Sequence, residues 1–304
     1  MTRFLVTGAY GCIGAWVVHE LVRAGRDVVT FDLSPEPRRL RLLLDDDAIA
    51  PIPHVAGDIA ELATVERALD EHEITNVIHL AALQVPFCRA DPPLGARVNV
   101  VGTVNVFEAA KSRELAPVVY ASSVAAFDAD GTMEGHPGTI YGVYKRANES
   151  TAAVFFAESG VSSVGLRPHT VYGVGRDQGV TSAPTAAMLA AAAGKPYRIP
   201  YGGSAQLQLA QDAARAFVAA SLAGHAGAPV HNLRGQKASV EEIVAAIGSD
   251  AIGYDDLRLP FPEEVDSASF DELLPGFTET PLDDGVRTTV ERFRALLAAG
   301  KIAA

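Results

Sequence analysis

Cysteine is scarce. The 304-residue chain has two, Cys12 and Cys88, and neither stands in a disulfide or metal-binding spacing. That usage suits a reducing cytoplasm, which is the expected location. Metal-ligand spacing is missing among the histidines and carboxylates as well, so the sequence requires no metal. Positive charge is also short. Lysine and arginine total 25 against 37 aspartates and glutamates, a net charge of −12. This disfavours nucleic acid or an anionic membrane as a partner. No apolar run approaches the ~20 residues needed to span a bilayer, and there is neither an internal repeat nor a low-complexity linker. The first strand-like segment starts two residues after Met1, which predicts that no signal peptide precedes the fold. Apolar residues make up 48% and charged residues 20% of the chain, enough to bury a large core and to argue against disorder.

What is present is organised around Arg3 to Ala24. Arg3-Phe4-Leu5-Val6-Thr7 is short, apolar and β-prone. Gly8-Ala9-Tyr10-Gly11-Cys12-Ile13-Gly14 follows, and Ile13, Trp16, Val17, Val18, Leu21 and Val22 then recur at helical spacing up to Gly25. This is strand, glycine turn, helix. Gly8 lets the chain leave the strand sharply, Gly11 lets backbone approach a phosphate, and Gly14 lets the helix pack close to the strand. The free N–H groups, that of Cys12 among them, and the positive end of the helix dipole would face a pyrophosphate. Asp32 ends the next strand at about the 20-residue offset where an acid reads a ribose 2′-hydroxyl; the bland alternative is a turn residue. An acid there repels a 2′-phosphate and favours NAD over NADP, although Arg38, Arg39 and Arg41 keep NADP open.

Strand and helix patterns then alternate. Arg38 to Asp47 is expected to form a solvated helix, Leu83 to Pro93 a proline-punctuated loop, and Leu94 to Arg113 and Gly138 to Ser159 two long helices. Strands are expected at Ile52–Ala56, Asn76–Leu80, Pro117–Ala121 and Ser163–Arg167. The pattern predicts an α/β fold, a doubly wound parallel sheet. Residues 1–175 form the expected dinucleotide-binding domain, and 176–304 a smaller substrate-binding lobe interleaved with the last sheet strands.

Tyr141 and Lys145 stand four apart on an expected helix, so they share one face. An ammonium beside a phenol favours the phenolate, which can take a proton from an alcohol. Ser122 and Ser123, just past a strand, supply a hydrogen-bond donor. The glycine loop, Asp32, Asp58, Ala81, Ser123 and Thr170 all fall beyond the carboxyl ends of expected strands, where ligands gather in open α/β sheets. Arg176, after Gly173-Val174-Gly175, is open to two readings, a clamp on a substrate carboxylate or a surface ion pair. Gln84, Pro86 and Phe87 sit in the loop after the fourth strand. His79 and His169 lie in apolar surroundings that suit structural roles.

These residues resemble an extended short-chain dehydrogenase/reductase of the NAD-dependent epimerase/dehydratase type. The resemblance runs through Thr7 to Gly14, Asp32, Gly57-Asp58-Ile59, His79-Leu80-Ala81-Ala82, Asn99, Ser122-Ser123, Tyr141-Gly142-Val143-Tyr144-Lys145, and Arg167-Pro168 with Val171-Tyr172-Gly173. It implies that Tyr141 is the general acid/base, that Lys145 holds the nicotinamide ribose, and that Ser123 bonds the substrate oxygen. It implies that Gly8, Tyr10, Gly11, Cys12, Ile13 and Gly14 hold the dinucleotide, and that Asp58 and Ile59 flank the adenine. Leu80, Ala81 and Ala82 would line the cofactor, and backbone near Pro168 would meet the carboxamide. Asn99, counted with the cofactor residues, would support the active-site region. Gln84, Ser123, Thr170 and Arg176 are the candidate substrate residues. The two long helices resemble those that pair into a homodimer.

The chain departs from the family's nucleotide-sugar members at two positions. Thr170 stands where they usually carry asparagine, and Ala205 where they carry an arginine that grips a sugar-nucleotide phosphate. Without that cation, diphosphate recognition loses a strong contact. The expected function is therefore NAD-dependent hydride transfer at a secondary alcohol of a sugar, sugar acid or polyol. A sugar or nucleotide-sugar epimerase with tightly bound NAD is the second reading, and a non-catalytic NAD-sensing protein the third.

Overall fold

The computed structural model describes residues 2–259 and 261–303; Met1, and with it the expectation attached to the start of the chain, lies outside them. The first half runs β1 (Arg3–Thr7), α1 (Cys12–Arg23), β2 (Asp27–Asp32), α2 (Asp46–Ile49), β3 (His54–Ala56), α3 (Leu62–Glu71), β4 (Asn76–His79), α4 (Val85–Ala90), α5 (Pro92–Ala96), α6 (Gly102–Lys111), β5 (Val118–Ala121), α7 (Ile140–Ser159) and β6 (Ser163–Arg167). The second continues with β7 (Thr170–Tyr172), α8 (Ala183–Ala192), β8 (Tyr197–Ile199), β9 (Ser204–Leu209), α9 (Ala210–Leu222), β10 (Val230–Asn232), β11 (Gln236–Ser239), α10 (Val240–Ile247), β12 (Ile252–Tyr254), α11 (Ala268–Leu273) and α12 (Leu282–Ala298).

Seven strands form one parallel sheet in the order β3-β2-β1-β4-β5-β6-β10. Strand alternation divides the core between its two faces. Phe4, Val6, Val28, Ile78 and Val119 point toward α1 and α9. Leu5, Val29, Val77, Val118 and Tyr120 point the other way, onto α3, α6 and α7. The sheet is thus covered on both sides, as parallel strands require. A smaller sheet, β11-β9-β7, and the pair β12-β8 carry a separate core with α8, α10 and α12. Two elements of the second half serve the large sheet: β10 extends it beside β6, and α9 lies against α1.

Three local expectations are corrected. Arg38 to Asp47 is not one solvated helix. A single 3-10 turn at Leu40–Leu42 and the short α2 replace it, because Leu40 and Leu44 are pulled into the core beside α1. The stretch after Leu83 is not a loop. Its prolines start helices, Pro86 in the first turn of α4 and Pro92 and Pro93 in that of α5, where a missing N–H costs nothing. The long helix that follows is interrupted by a π turn at Arg97–Val101. There the Asn99 carbonyl accepts the Thr103 hydroxyl at 2.7 Å and the Asn148 amide at 2.9 Å. Side chains from two helices thus compete for a carbonyl that the regular ladder would use.

Glycines set how closely the layers approach at the carboxyl end of β1. Gly8 has φ +64°, and a Cβ there would lie 2.6 Å from the Ala81 nitrogen. A Cβ on Gly14 would lie 2.1 Å from the Gly8 carbonyl oxygen. Backbone thus meets backbone on both sides of the turn. Gly14→Ala is expected to lower the unfolding free energy by about 1–3 kcal/mol through overpacking and to weaken dinucleotide binding. Chemical denaturation and dye-free calorimetry check the two effects, and an unchanged midpoint would contradict the close-contact account.

Candidate active site

The strand order reverses at β1, which lies between β2 and β4. Such a switch point leaves a crevice beyond the strand ends. A cleft of about 360 Å³ opens there. One wall is the glycine turn, with Gly8, Gly11, Cys12, Ile13 and Gly14; the other carries Ser123, Tyr141, Lys145 and Pro168. Gly11 caps α1 with extended backbone, so the first amides of that helix are free to face the cleft. Leu80, Ala82 and Gln84 form the floor after β4, and Thr170 and Arg176 close the far side.

The two serines after β5 part company. Ser122 is buried and its hydroxyl donates to Glu149. Glu149 in turn takes two hydrogen bonds from Arg167, at 2.7 and 2.6 Å. Ser123, which also lines the cleft, caps the next turn by accepting from the Ala125 N–H at 3.1 Å and lies close enough to Tyr141 to pull its phenol down. Tyr141 opens α7, whose first turn is capped by the Thr139 hydroxyl. One residue on, Gly142 sits so close to the turn after Ser123 that a Cβ would lie 2.0 Å from the Ala125 carbonyl oxygen. That contact brings Tyr141 to Ser123. Lys145, one helical turn later, is buried, donates to the Ala121 carbonyl at 2.7 Å, and holds its ammonium 5.6 Å from the centre of the Tyr141 ring.

The sequence profile of the NAD dependent epimerase/dehydratase family matches residues 4–233. The chain belongs to that family. A UDP-glucose 4-epimerase of Mycolicibacterium smegmatis is 29% identical over 314 residues, 96% of this chain and 98% of that protein. UDP-glucuronate 4-epimerase 3 of Arabidopsis thaliana is 31% identical over 183 residues, 56% of this chain; the match spans only 42% of the plant protein's length. The UDP-glucose 4-epimerase of Thermus thermophilus, solved as a complex with NAD, superposes with a TM-score of 0.78 at 25% identity, covering 96% of this chain and 99% of that one.

Against this family background, six expected cofactor residues stand outside the cleft walls. Asp32 accepts the Tyr10 N–H at 2.9 Å and the Ser34 N–H at 3.2 Å. The Tyr10 ring is buried instead against His54, its hydroxyl bonded to Thr30 and His54. Asp58 pairs with Arg97 at 2.9 Å, Ile59 is buried beneath Gly102, and the Ala81 N–H bonds the Thr7 hydroxyl. Asn99 is buried and braces the loop after β4, accepting the Leu83 N–H at 2.7 Å and donating to its carbonyl at 2.9 Å. The three arginines after β2 are engaged: Arg38 and Arg39 with Asp177, Arg41 with Glu36 and Asp46. His79 is fixed between Thr7 and Thr103, and burial pushes it down to about 3. His169 does face the cleft and holds the Pro262 carbonyl at 2.7 Å. Gln206 and Gln208 bond backbone at Val265 and Leu233, while Ala205 lines a neighbouring cavity.

Some wall residues escaped the sequence reading. Thr181 sits five positions after Arg176 and accepts one of its N–H groups at 3.1 Å; that short spacing was the available signal. Leu259, Phe261 and Pro262 come from the far end of the chain and carry no motif. Among the described residues, no group of three or more His, Cys, Asp or Glu could hold a metal ion, and no helix is long and apolar enough to cross a membrane.

Burial opposes charge on both key groups. It raises the Tyr141 phenol to about 12 although the Ser123 hydrogen bond and the Arg176 charge pull it down, and it lowers the Lys145 ammonium to about 8. The folded Lys145 value lies below the ordinary 10.5. Unfolding therefore takes up a proton between those values, and below the lower one the full penalty for burying the ammonium stands. Lys145→Met is expected to raise the unfolding free energy at pH 7 by about 1–3 kcal/mol. The gain should fade as the pH rises from about 8 to about 10.5 and be absent above that. Urea titrations across that span check the sign and the pH trend.

Proposed function

We propose that this chain is an oxidoreductase acting on a secondary alcohol of a sugar, sugar acid or polyol, with NAD as its redox partner. The observation that carries this is the single cleft in which the glycine turn faces Ser123, Tyr141 and Lys145. The absence of side-chain room at Gly8 and Gly14 suits a backbone cradle for a pyrophosphate. NAD, when bound, would supply the hydride acceptor. Asp32 at the end of β2 would read the ribose 2′-hydroxyl, with Asp58 and Ile59 toward the adenine and Lys145 toward the second ribose. The pairing of Arg38, Arg39 and Arg41 with carboxylates supports NAD over NADP, since none is left to greet a 2′-phosphate.

The protein's own groups would then divide the work. Ser123 would hold the substrate oxygen by hydrogen bond. Tyr141 would take the hydroxyl proton, the Lys145 ammonium biasing it toward the phenolate. Buried walls exclude water, which strengthens each of these interactions. The division at about residue 175 follows from this reading, with the later lobe contributing Arg176, Thr181, Leu259, Phe261 and Pro262 to the substrate side. Ala205 in place of a cation supports a substrate without a diphosphate. The same residues would serve an epimerase that oxidises, turns and re-reduces its substrate, and the names of the relatives favour that second reading. Intact Ser123, Tyr141 and Lys145 argue against a non-catalytic sensor. The cysteine usage supports a cytoplasmic protein. Exposed Phe87, Leu94 and Val101 on α4 to α6, with Val143, Val154 and Phe156 on α7, support a homodimer.

Three measurements test this. Incubated with NAD and a panel of sugar acids, free sugars, polyols and nucleotide sugars, a dehydrogenase accumulates NADH absorbance, whereas an epimerase interconverts substrate with none. Tyr141→Phe should lower turnover by about 10²–10⁴-fold while NAD affinity holds; a variant keeping most of its rate would remove Tyr141 from the chemistry. Light scattering should give twice the chain mass, and the monomer mass would refute the dimer.

A further inference from the structure

A second cavity of about 290 Å³ adjoins the first. Thr170, Thr181, Leu259, Phe261 and Pro262 line both, so the two adjoin along those residues. Three buried polar atoms around the two cavities have no hydrogen-bond partner: the Arg176 Nε, the Gln84 Oε1 and the Tyr201 hydroxyl. Buried polar groups are nearly always satisfied, so orphans that surround a cavity describe what belongs in it. Tyr201 itself is only 5% exposed.

Arg176 lines the first cavity and bonds Thr181, which lines both. Its charge acts on Tyr141 in the first cavity and on Tyr201 in the second. One of its terminal N–H groups is held by Thr181 at 3.1 Å, which fixes the guanidinium in place. Its neighbour in sequence does not neutralise it, because Asp177 turns away to Arg38 and Arg39. Among the described residues no carboxylate makes an ion pair with Arg176. Gly179 lets Gln84 and Arg176 approach the same stretch of backbone: a Cβ there would lie 2.6 Å from Gln84 Oε1 and 3.1 Å from Arg176 Nη2.

The orphans have complementary chemistry. Arg176 only donates, Gln84 Oε1 only accepts, and the Tyr201 hydroxyl does either. A ligand that satisfies them accepts from a cation at one point and donates a proton beside it. The second cavity adds hydroxyl-bearing Thr170, Thr181 and Ser204. The arginine that lines it, Arg258, is paired with Glu263 at 3.3 Å, so it offers no free cation to a diphosphate. We propose that the substrate is a polyhydroxy carboxylic acid whose carboxylate is held by Arg176 beside Thr181, where the two cavities adjoin. A hydroxyl on the adjoining carbons donates to Gln84, and the hydroxylated remainder of the chain enters the second cavity past Tyr201. This rests on the oxidoreductase reading for the reacting alcohol, not for the carboxylate.

The test pairs each acid with a neutral counterpart: D-erythronate with erythritol, D-gluconate with glucitol, and D-glucuronate and D-galacturonate with their methyl esters. NADH formation is followed with the full chain and NAD. Separately, calorimetry titrates each acid into the NADH-loaded protein. At least one acid should exceed its neutral partner in kcat/KM by about tenfold to a hundredfold, the range for a lost charge-assisted pair. Arg176→Gln should erase that ratio and the calorimetric signal while Tm holds; Arg176→Lys should restore part of the ratio, and Tyr201→Phe should weaken binding of the longer acids. A preference for the neutral compound or for a nucleotide sugar, an unchanged ratio in Arg176→Gln, or no binding and no turnover of any acid would overturn the proposal. Acid binding without NADH formation supports the carboxylate assignment and overturns the oxidoreductase reading.

Discussion

A Cβ on Gly14 would stand 2.1 Å from the Gly8 carbonyl oxygen, and one on Gly142 would stand 2.0 Å from the Ala125 carbonyl oxygen. These two contacts set the width of the cleft. The first brings α1 against the end of β1, so that the free amides of its first turn face the strand ends. The second brings α7 against the turn after β5, so that Tyr141 reaches Ser123. A methyl group at either place would push a helix outward, and close-packed interiors transmit such shifts. The spacing between a backbone cradle and a phenol therefore depends on two positions where nothing but hydrogen fits.

The electrostatics of the site are held in tension by burial. Tyr141 and Lys145 are both pushed toward their neutral forms, the phenol to about 12 and the ammonium to about 8. Ser123 and the Arg176 charge partly offset that at Tyr141, and Cys88 and the Glu149 carboxylate do so at Lys145. Behind them, Ser122, Glu149 and Arg167 form a buried network in which the carboxylate is gripped by both ends of the guanidinium, itself stacked 4.7 Å from the Phe127 ring. Such a network is satisfied at every charged atom that the bonds name, which is what keeps a buried pair from destabilising the fold. Ser122 and Ser123 thus belong to different systems, the hydroxyl of one given to Glu149 and that of the other capping the turn beside Tyr141.

The two halves of the chain are tied together next to the site. The Trp16 indole donates to the Val174 carbonyl at 2.8 Å. Arg39 donates to the Tyr10 carbonyl at 3.1 Å and to Asp177 at 2.9 and 2.6 Å. The glycine turn, the segment after β2 and the loop bearing Arg176 are therefore held by one guanidinium. A change at the turn is felt one residue away from Arg176 through this bridge.

The sequence alone determined the first six strands of the large sheet, their alternation with helices, and the placing of Tyr141 and Lys145 on one helix face. Arg3–Thr7, Asp27–Asp32 and Ser163–Arg167 were legible because fully buried parallel strands read as short apolar runs closed by glycine or charge. Tyr141 and Lys145 were legible because four residues of helix is a local distance. Tertiary structure decided what local pattern does not contain. Leu40 and Leu44 look like spacers in a charged stretch until α1 offers them a core. The prolines from Pro86 to Pro93 look like breakers until they are seen at first turns, where no N–H is needed. The π turn at Asn99 exists because residues of α6 and α7 claim one carbonyl. The final wall of the cleft comes from Leu259, Phe261 and Pro262, far beyond Tyr141 in the chain, brought there by sheet and helix packing over distances that periodicity cannot carry.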